Sequence, residues 1–116
     1  SVLDAFAGSG ALAFEAASRG ASEVIAIEKD SSAHSVIDQN AKELKLGTKV
    51  QVVRANTGGW SIHNMEKRFD IVLLDPPYNE LQHNLLDRLV KRHIKVNGLA
   101  VLSWPGTVTM SYSSMG

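Results

Sequence analysis

Apolar residues in this chain fall into short runs separated by amphipathic stretches. The runs at residues 2–6, 23–28, 49–54, 70–75 and 99–104 are rich in Val, Ile and Leu and read as strands buried on both faces. Between the second and third runs, Asp30 stands where a helix cap is expected. Ala33, Val36, Ile37, Ala41 and Leu44 then recur at helical spacing, and Gly47 is the expected stop. After the fourth run, Leu81, Leu85, Leu86, Leu89 and Val90 form a second stripe, with Asn97-Gly98 as its predicted end. A shorter helix is predicted over residues 11–19, where Ala11, Ala13, Ala16 and Ala17 allow close packing and Gly20 terminates it. Residues 55–68 are less regular, with Gly58-Gly59 as a break and one helical turn near 62–67. Residues 107–112 alternate weakly, as an edge strand would, and 113–116 read as a frayed end.

Strands alternating with helices predict βαβ units and an α/β fold: a Rossmann-like, doubly wound, mostly parallel sheet. At 116 residues the chain fits one domain, with 1–104 as its core and 105–116 as an edge strand or tail. Ser1-Val2-Leu3-Asp4 opens directly in a buried-strand pattern, so truncation is expected at the N-terminus and also at the C-terminus.

Composition narrows the chemistry. With no cysteine, disulfides, thiolate metal sites and a cysteine nucleophile are excluded. His34, His63, His83 and His93 lack metal-ligand spacing and are expected on the solvated surface; no metal is implied. No apolar run approaches the roughly 18 residues of a membrane span, and a cytoplasmic protein is expected. Twelve basic residues balance twelve acidic ones, so the strongly basic footprint of a nucleic-acid binder is missing; a basic segment outside this sequence is the expected remedy. Trp60 and Trp104 are expected to pack in the core or cleft wall.

Two motifs carry the function. The first strand runs through Asp4, Ala5, Phe6 and Ala7 into Gly8-Ser9-Gly10, a glycine-rich turn opening a helix, and Glu28 closes the second strand. Gly8-x-Gly10-x-x-Ala13 satisfies the dinucleotide pattern, which keeps a nicotinamide dehydrogenase as a competitor. Asp4 argues against it, because a carboxylate there repels a pyrophosphate at the helix N-terminus. S-adenosylmethionine has no phosphate but carries an ammonium and a sulfonium, and an acidic strand end suits both. Glu28 is then the bidentate acceptor for the ribose hydroxyls.

The second motif is Asp75-Pro76-Pro77-Tyr78, at the end of the run Ile71-Val72-Leu73-Leu74. Two prolines stop the strand and remove two N–H donors. The Asp75 carboxylate, the Pro76 carbonyl and the Tyr78 ring are thereby offered to the same cleft. Two acceptors holding the N–H bonds of an exocyclic amine favour a pyramidal nitrogen whose lone pair points at a methyl donor, while an aromatic ring stacks on the extruded base. A purely structural strand-to-loop turn is the plainer alternative.

On these residues, together with Glu15-Ala16-Ala17-Ser18-Arg19-Gly20-Ala21 and Ile27-Glu28-Lys29-Asp30, the chain resembles the class I methyltransferases, and most closely the RsmD-like bacterial family that methylates guanine N2 of 16S ribosomal RNA. The resemblance implies S-adenosylmethionine as cofactor, with Asp4, Phe6, Gly8 and Gly10 around its methionine part and Glu28 on the ribose. It places Asn56 where the family usually has an acid for the adenine amine, and Asp75, Pro76 and Tyr78 at the target base. It further implies ribosomal RNA or a small-subunit assembly intermediate as partner, and a monomer. Adenine-N6 methylation of DNA, whose enzymes share Asp-Pro-Pro-Tyr, and a catalytically silent RNA-binding domain are the alternatives.

Overall fold

The computed structural model describes residues 1–8, 10–46, 49–75, 83–104 and 107–113. The elements are β1 (Val2–Asp4), α1 (Ala11–Ser18), β2 (Val24–Glu28), α2 (Ser31–Glu43), β3 (Val50–Arg54), α3 (Thr57–His63), β4 (Phe69–Leu74), α4 (His83–His93), β5 (Ile94–Trp104) and β6 (Thr107–Ser113). They form one six-stranded sheet of order β3-β2-β1-β4-β5-β6, in which only β6 runs antiparallel. The chain winds outward from β1 to β3 and then returns to place β4 on the other side of β1. That reversal opens a crevice beyond the carboxyl ends of β1 and β4, where open α/β sheets bind ligands.

Side-chain alternation along the strands splits the core into two layers. Leu3, Ile25, Ile27, Val72 and Leu74 face α3 and α4, joining Trp60, Phe69, Leu86, Leu89 and Ile94. Val2, Val24, Ala26 and Val50 face α1 and α2, joining Ala13, Ala17 and Ile37. Burial on both faces explains why these strands are continuously apolar in sequence. Among the described residues, no helix is long and apolar enough to cross a membrane.

Several elements depart from the sequence pattern, each for a local reason. In α2, Asp30 caps as predicted, its Oδ2 accepting from Ala33 N at 2.8 Å. Only Ile37 and Ala41 of the stripe are buried, while Val36 and Leu44 are more than half exposed, because α2 meets the sheet along a narrow line. The helix stops before Gly47, which lies outside the described residues. Lys45 adopts the left-handed conformation (φ 57°), and Leu46 N donates to Ala41 O at 2.8 Å, closing the end.

Gly58-Gly59 does not break a helix but lies in the first turn of α3. Asn56 Oδ1 accepts from Gly59 N at 3.3 Å, and burial of Trp60 and Ser61 offsets the roughly 1 kcal/mol that each glycine costs in a helix. Likewise Asn97-Gly98 does not end α4, which stops at His93. The β4–β5 pairing steps from Phe69 to Ile71 on one strand but from Ile94 to Leu99 on the other, so β5 makes an excursion there. Asn97 takes φ 66° in it, and a Cβ on buried Gly98 would lie 2.8 Å from Lys95 O and 2.9 Å from Asp70 O. The expected edge strand exists as β6, with Ser113 paired to Gly98 instead of frayed.

Candidate active site

Four strand ends, those of β1 to β4, build the site. At the end of β1, Asp4 is only 1% exposed, and among the described residues neither carboxylate oxygen has a hydrogen-bond partner. Burial pushes its pKa from 3.8 to about 7; the backbone amides of Phe6 and Ala13 oppose this only in part, and the neighbouring Asp75 and Glu28 charges add to it. An acid in this condition lacks a cation or donor.

Glu28 holds the rest of the rim together. Its Oε1 accepts from Gly8 N at 3.0 Å and its Oε2 from Asp30 N at 2.8 Å, so the carboxylate spans from the glycine turn to the start of α2. Each oxygen keeps a lone pair for a further donor, which leaves the expected ribose role open while adding a structural one. Gly8 has φ 57° and, among the described residues, no atom within 4 Å of where a Cβ would be, so a ligand can approach its backbone. Gly10 serves a different need: at φ 83°, a Cβ would lie 3.0 Å from Phe14 and 3.1 Å from Ile37, so this glycine lets α1 dock against α2. Phe6 is half-buried against the α3–α4 layer of the core.

The third rim segment follows β3. Exposed Asn56 directs Oδ1 to the α3 cap, so the oxygen expected to meet an adenine amine already accepts one N–H. The residue that sequence reasoning passed over is Thr57. Buried at the start of α3, it donates its hydroxyl to the Ala5 carbonyl, tying this loop to the glycine turn. Nothing in the local sequence distinguishes it from an ordinary helix-start threonine. Asp75 follows β4, is exposed, and is close enough to raise the pKa of Asp4. Pro76 and Tyr78 lie outside the described residues, so the structure brings together Asp4, Phe6, Gly8, Glu28 and Asp75, with Asn56 beside them.

The histidine expectation fails at His93, which is fully buried. Its Nδ1 lies 2.8 Å from Lys67 O, which can only accept, so Nδ1 carries the proton and Nε2 accepts from Ser61 Oγ at 2.7 Å. Burial first, then the Arg92 and Arg68 charges, lower its pKa. Trp60 packs against it at 5.1 Å between ring centroids, as a core residue. Trp104's side chain lies outside the described residues.

Three acids, Asp4, Glu28 and Asp75, close enough to act on one another at the strand ends, disfavour a pyrophosphate and favour a cationic ligand, which sets the dehydrogenase aside. The buried Asp4 carboxylate, without a hydrogen-bond partner among the described residues, and the Gly8 backbone beside it fit the ammonium-bearing end of S-adenosylmethionine.

Comparison with known proteins agrees with this reading of the fold. The family model described as "Conserved hypothetical protein 95" matches residues 1–113. Ribosomal RNA small subunit methyltransferase D of Buchnera aphidicola is 39% identical over 97 residues in the Baizongia pistaciae strain, covering 84% of this chain and 47% of that protein. In the Acyrthosiphon pisum strain it is 38% identical over 78 residues, covering 67% and 40%. The chain thus spans less than half the length of these curated relatives. A conserved hypothetical protein of Streptococcus pyogenes superposes with a TM-score of 0.78 at 33% identity, over 87% of this chain and 64% of that one. A SAM-dependent O-methyltransferase of Thermotoga maritima does so at 0.72 and 22% identity, over 90% and 37%, a likeness of fold alone. With the class I methyltransferase sheet, the glycine turn and the acidic strand ends in place, the chain belongs to the conserved hypothetical protein 95 family, the RsmD-like methyltransferases.

Proposed function

We propose that this domain binds S-adenosylmethionine at the carboxyl ends of β1 and β2 and directs methyl transfer to an exocyclic amine in ribosomal RNA, with guanine N2 of the small subunit as the target. The observation that carries the reading is Asp4, buried beside two other acids and without a hydrogen-bond partner among the described residues. When bound, the cofactor supplies a methyl group activated by a positive sulfur. The chain's own residues do the rest. Asp4 receives the ammonium, Gly8 lets the backbone approach, Glu28 accepts from the ribose, and Phe6 and Asn56 flank the ligand. Asp75 and the Pro76 carbonyl hold the two N–H bonds of the target amine, and Tyr78 stacks on the base. Exposed at the rim, Asp75 can also take the departing proton and pass it to solvent.

The test is steady-state methylation of under-methylated small subunits by the full-length protein, with mass spectrometry of released nucleosides. The expected product is N2-methylguanosine. Asp75→Ala should lower turnover by orders of magnitude while leaving S-adenosylhomocysteine affinity within a few-fold, because its contact matters mainly as the nitrogen attacks. Tyr78→Ala should instead raise the RNA concentration required, by the roughly 1–3 kcal/mol of one stacked base. N6-methyladenosine as product would replace the target with adenine. Cofactor binding without any methylated base would leave a silent RNA-binding domain.

A further inference from the structure

Charge in this chain is balanced in number but not in place. Acids gather at the carboxyl edge, with Asp4 and Glu28 ending β1 and β2, Asp30 just beyond β2 and Asp75 after β4. Cations gather at the other end of α3 and α4: Lys67 and Arg68 in the α3–β4 loop, Arg88, Lys91 and Arg92 on α4, and Lys95 just past it. Among the described residues, Glu66, Asp70 and Asp87 are the acids that accompany these six.

Lys91 pairs with Asp87 at 2.9 Å, and Lys95 with Asp70 at 3.5 Å. Among the described residues, Arg68, Arg88 and Arg92 form no ion pair and are instead steadied by neutral acceptors. Arg92 Nη1 donates to Ser61 Oγ at 2.9 Å, which is itself fixed by its bond to His93. Arg68 Nη1 donates to Met65 O at 2.7 Å, and Arg88 Nε to Asn84 O at 3.3 Å. A guanidinium has five donors, so each keeps most of its fork and all of its charge.

Two of the three share a helix face. Arg88 and Arg92 are one turn apart on the same face of α4, about 6 Å along its axis. Arg68 follows Lys67, whose carbonyl lies 2.8 Å from His93 Nδ1, so the loop that carries it meets the C-terminal end of α4. The α4 helix starts at His83, shortly after the Asp75-Pro76-Pro77-Tyr78 segment. Arg88 and Arg92 therefore lie roughly 7 and 13 Å along the helix from its start.

We propose that this α3–α4 seam, marked by Arg68, Arg88 and Arg92, carries the phosphate backbone of the RNA whose base enters the crevice. The inference rests on the RNA reading above. An acidic carboxyl edge accepts a base and a cationic cofactor but repels phosphates, so the backbone must be gripped elsewhere. Oriented guanidiniums that form no ion pair among the described residues, spaced along α4 away from the acidic edge, supply that grip.

The test is fluorescence anisotropy of this chain with a labelled single-stranded RNA across a range of salt concentrations. Each lost phosphate contact lowers the slope of log affinity against log salt by about 0.7 on single strands and 0.9 on duplex-like sites, so Arg68→Gln with Arg88→Gln should lower it by about 1.4–1.8. Thermal unfolding and S-adenosylhomocysteine affinity should not change. Lys42→Gln with Lys45→Gln, on the opposite face of the sheet, should leave the slope as it was. The proposal is overturned by a flat slope in the unaltered chain, by an unchanged slope in the arginine variant, or by polyglutamate displacing RNA at equal charge, which would mark a site for an acidic protein. The two readings fail separately. An arginine-dependent slope without S-adenosylhomocysteine binding supports the seam and sinks the cofactor assignment, whereas cofactor binding with an arginine-independent slope does the reverse.

Discussion

Replacing Asp4 by asparagine tests the central electrostatic claim most directly, because it removes a charge while nearly keeping the shape. In the folded protein the Asp4 carboxyl titrates at about 7, against 3.8 when unburied. The folded state therefore holds a proton that the unfolded chain releases over that interval. Stability from this group is fully present below pH 3.8 and is lost as pH rises toward 7. At about 1.36 kcal/mol per pH unit, the loss at pH 8 approaches 4 kcal/mol. The amide of the Asp4→Asn variant carries no such dependence. A buried amide without partners costs about 1–3 kcal/mol, but that cost is the same at every pH. The difference in unfolding free energy, variant minus wild type, should consequently rise by about 4 kcal/mol from pH 4 to pH 8. Urea unfolding at five pH values measures it, and the other titrating groups cancel in the subtraction. An ammonium-bearing ligand should reverse the preference, so wild-type affinity for S-adenosylhomocysteine should fall up to tenfold per unit as pH drops below 7, while Asp4→Asn binds weakly throughout. Parallel stability curves for the two proteins would refute the reasoning, since Asp4 would then have a partner or solvent access.

Glu28→Ala should weaken S-adenosylhomocysteine binding by roughly ten- to a hundredfold, for loss of a charged acceptor, and should deprotect the Gly8 and Asp30 amides in hydrogen exchange; unchanged exchange would mean that Glu28 does not pin the loop. For His93, whose pKa is lowered from 6.5 by burial, stability is present above 6.5 and is lost as pH falls through the folded value; His93→Phe should abolish this acid limb and cost about 1–3 kcal/mol at neutral pH, because Ser61 and the Lys67 carbonyl lose their partner, as chemical denaturation at several pH values would show.

The sheet was legible because strands buried on both faces must be apolar throughout, and the runs that begin at residues 2, 23, 49 and 70 each contain most or all of the observed strand. Asp30 was equally legible, since a cap is a local interaction. What escaped was decided at longer range. Gly58-Gly59 carries the composition of a break, yet Asn56 and the burial of Trp60 keep it helical. Asn97-Gly98 signals a turn correctly, but whether that turn ends a helix or interrupts a strand depends on pairing with β4. His93 looks like any histidine in a basic helix end until Ser61 and Lys67 are brought to it from elsewhere in the chain. In the site, Asp4, Gly8, Glu28 and Asp75 were visible as types at strand ends. The second use of Glu28, and the part played by Thr57, needed coordinates.

Glu28 on Gly8, the Ala55 amide on the Glu28 carbonyl at 3.2 Å, and Thr57 on Ala5 make one closed circuit through the ends of β1, β2 and β3. Binding therefore need not assemble these three strand ends, since folding has already fixed their spacing. The ordering entropy that a loose loop would surrender on capturing a ligand is spent before the ligand arrives. Gly8 should accordingly exchange its amide proton slowly in the free protein and change little on saturation, so that the cofactor meets a rigid socket.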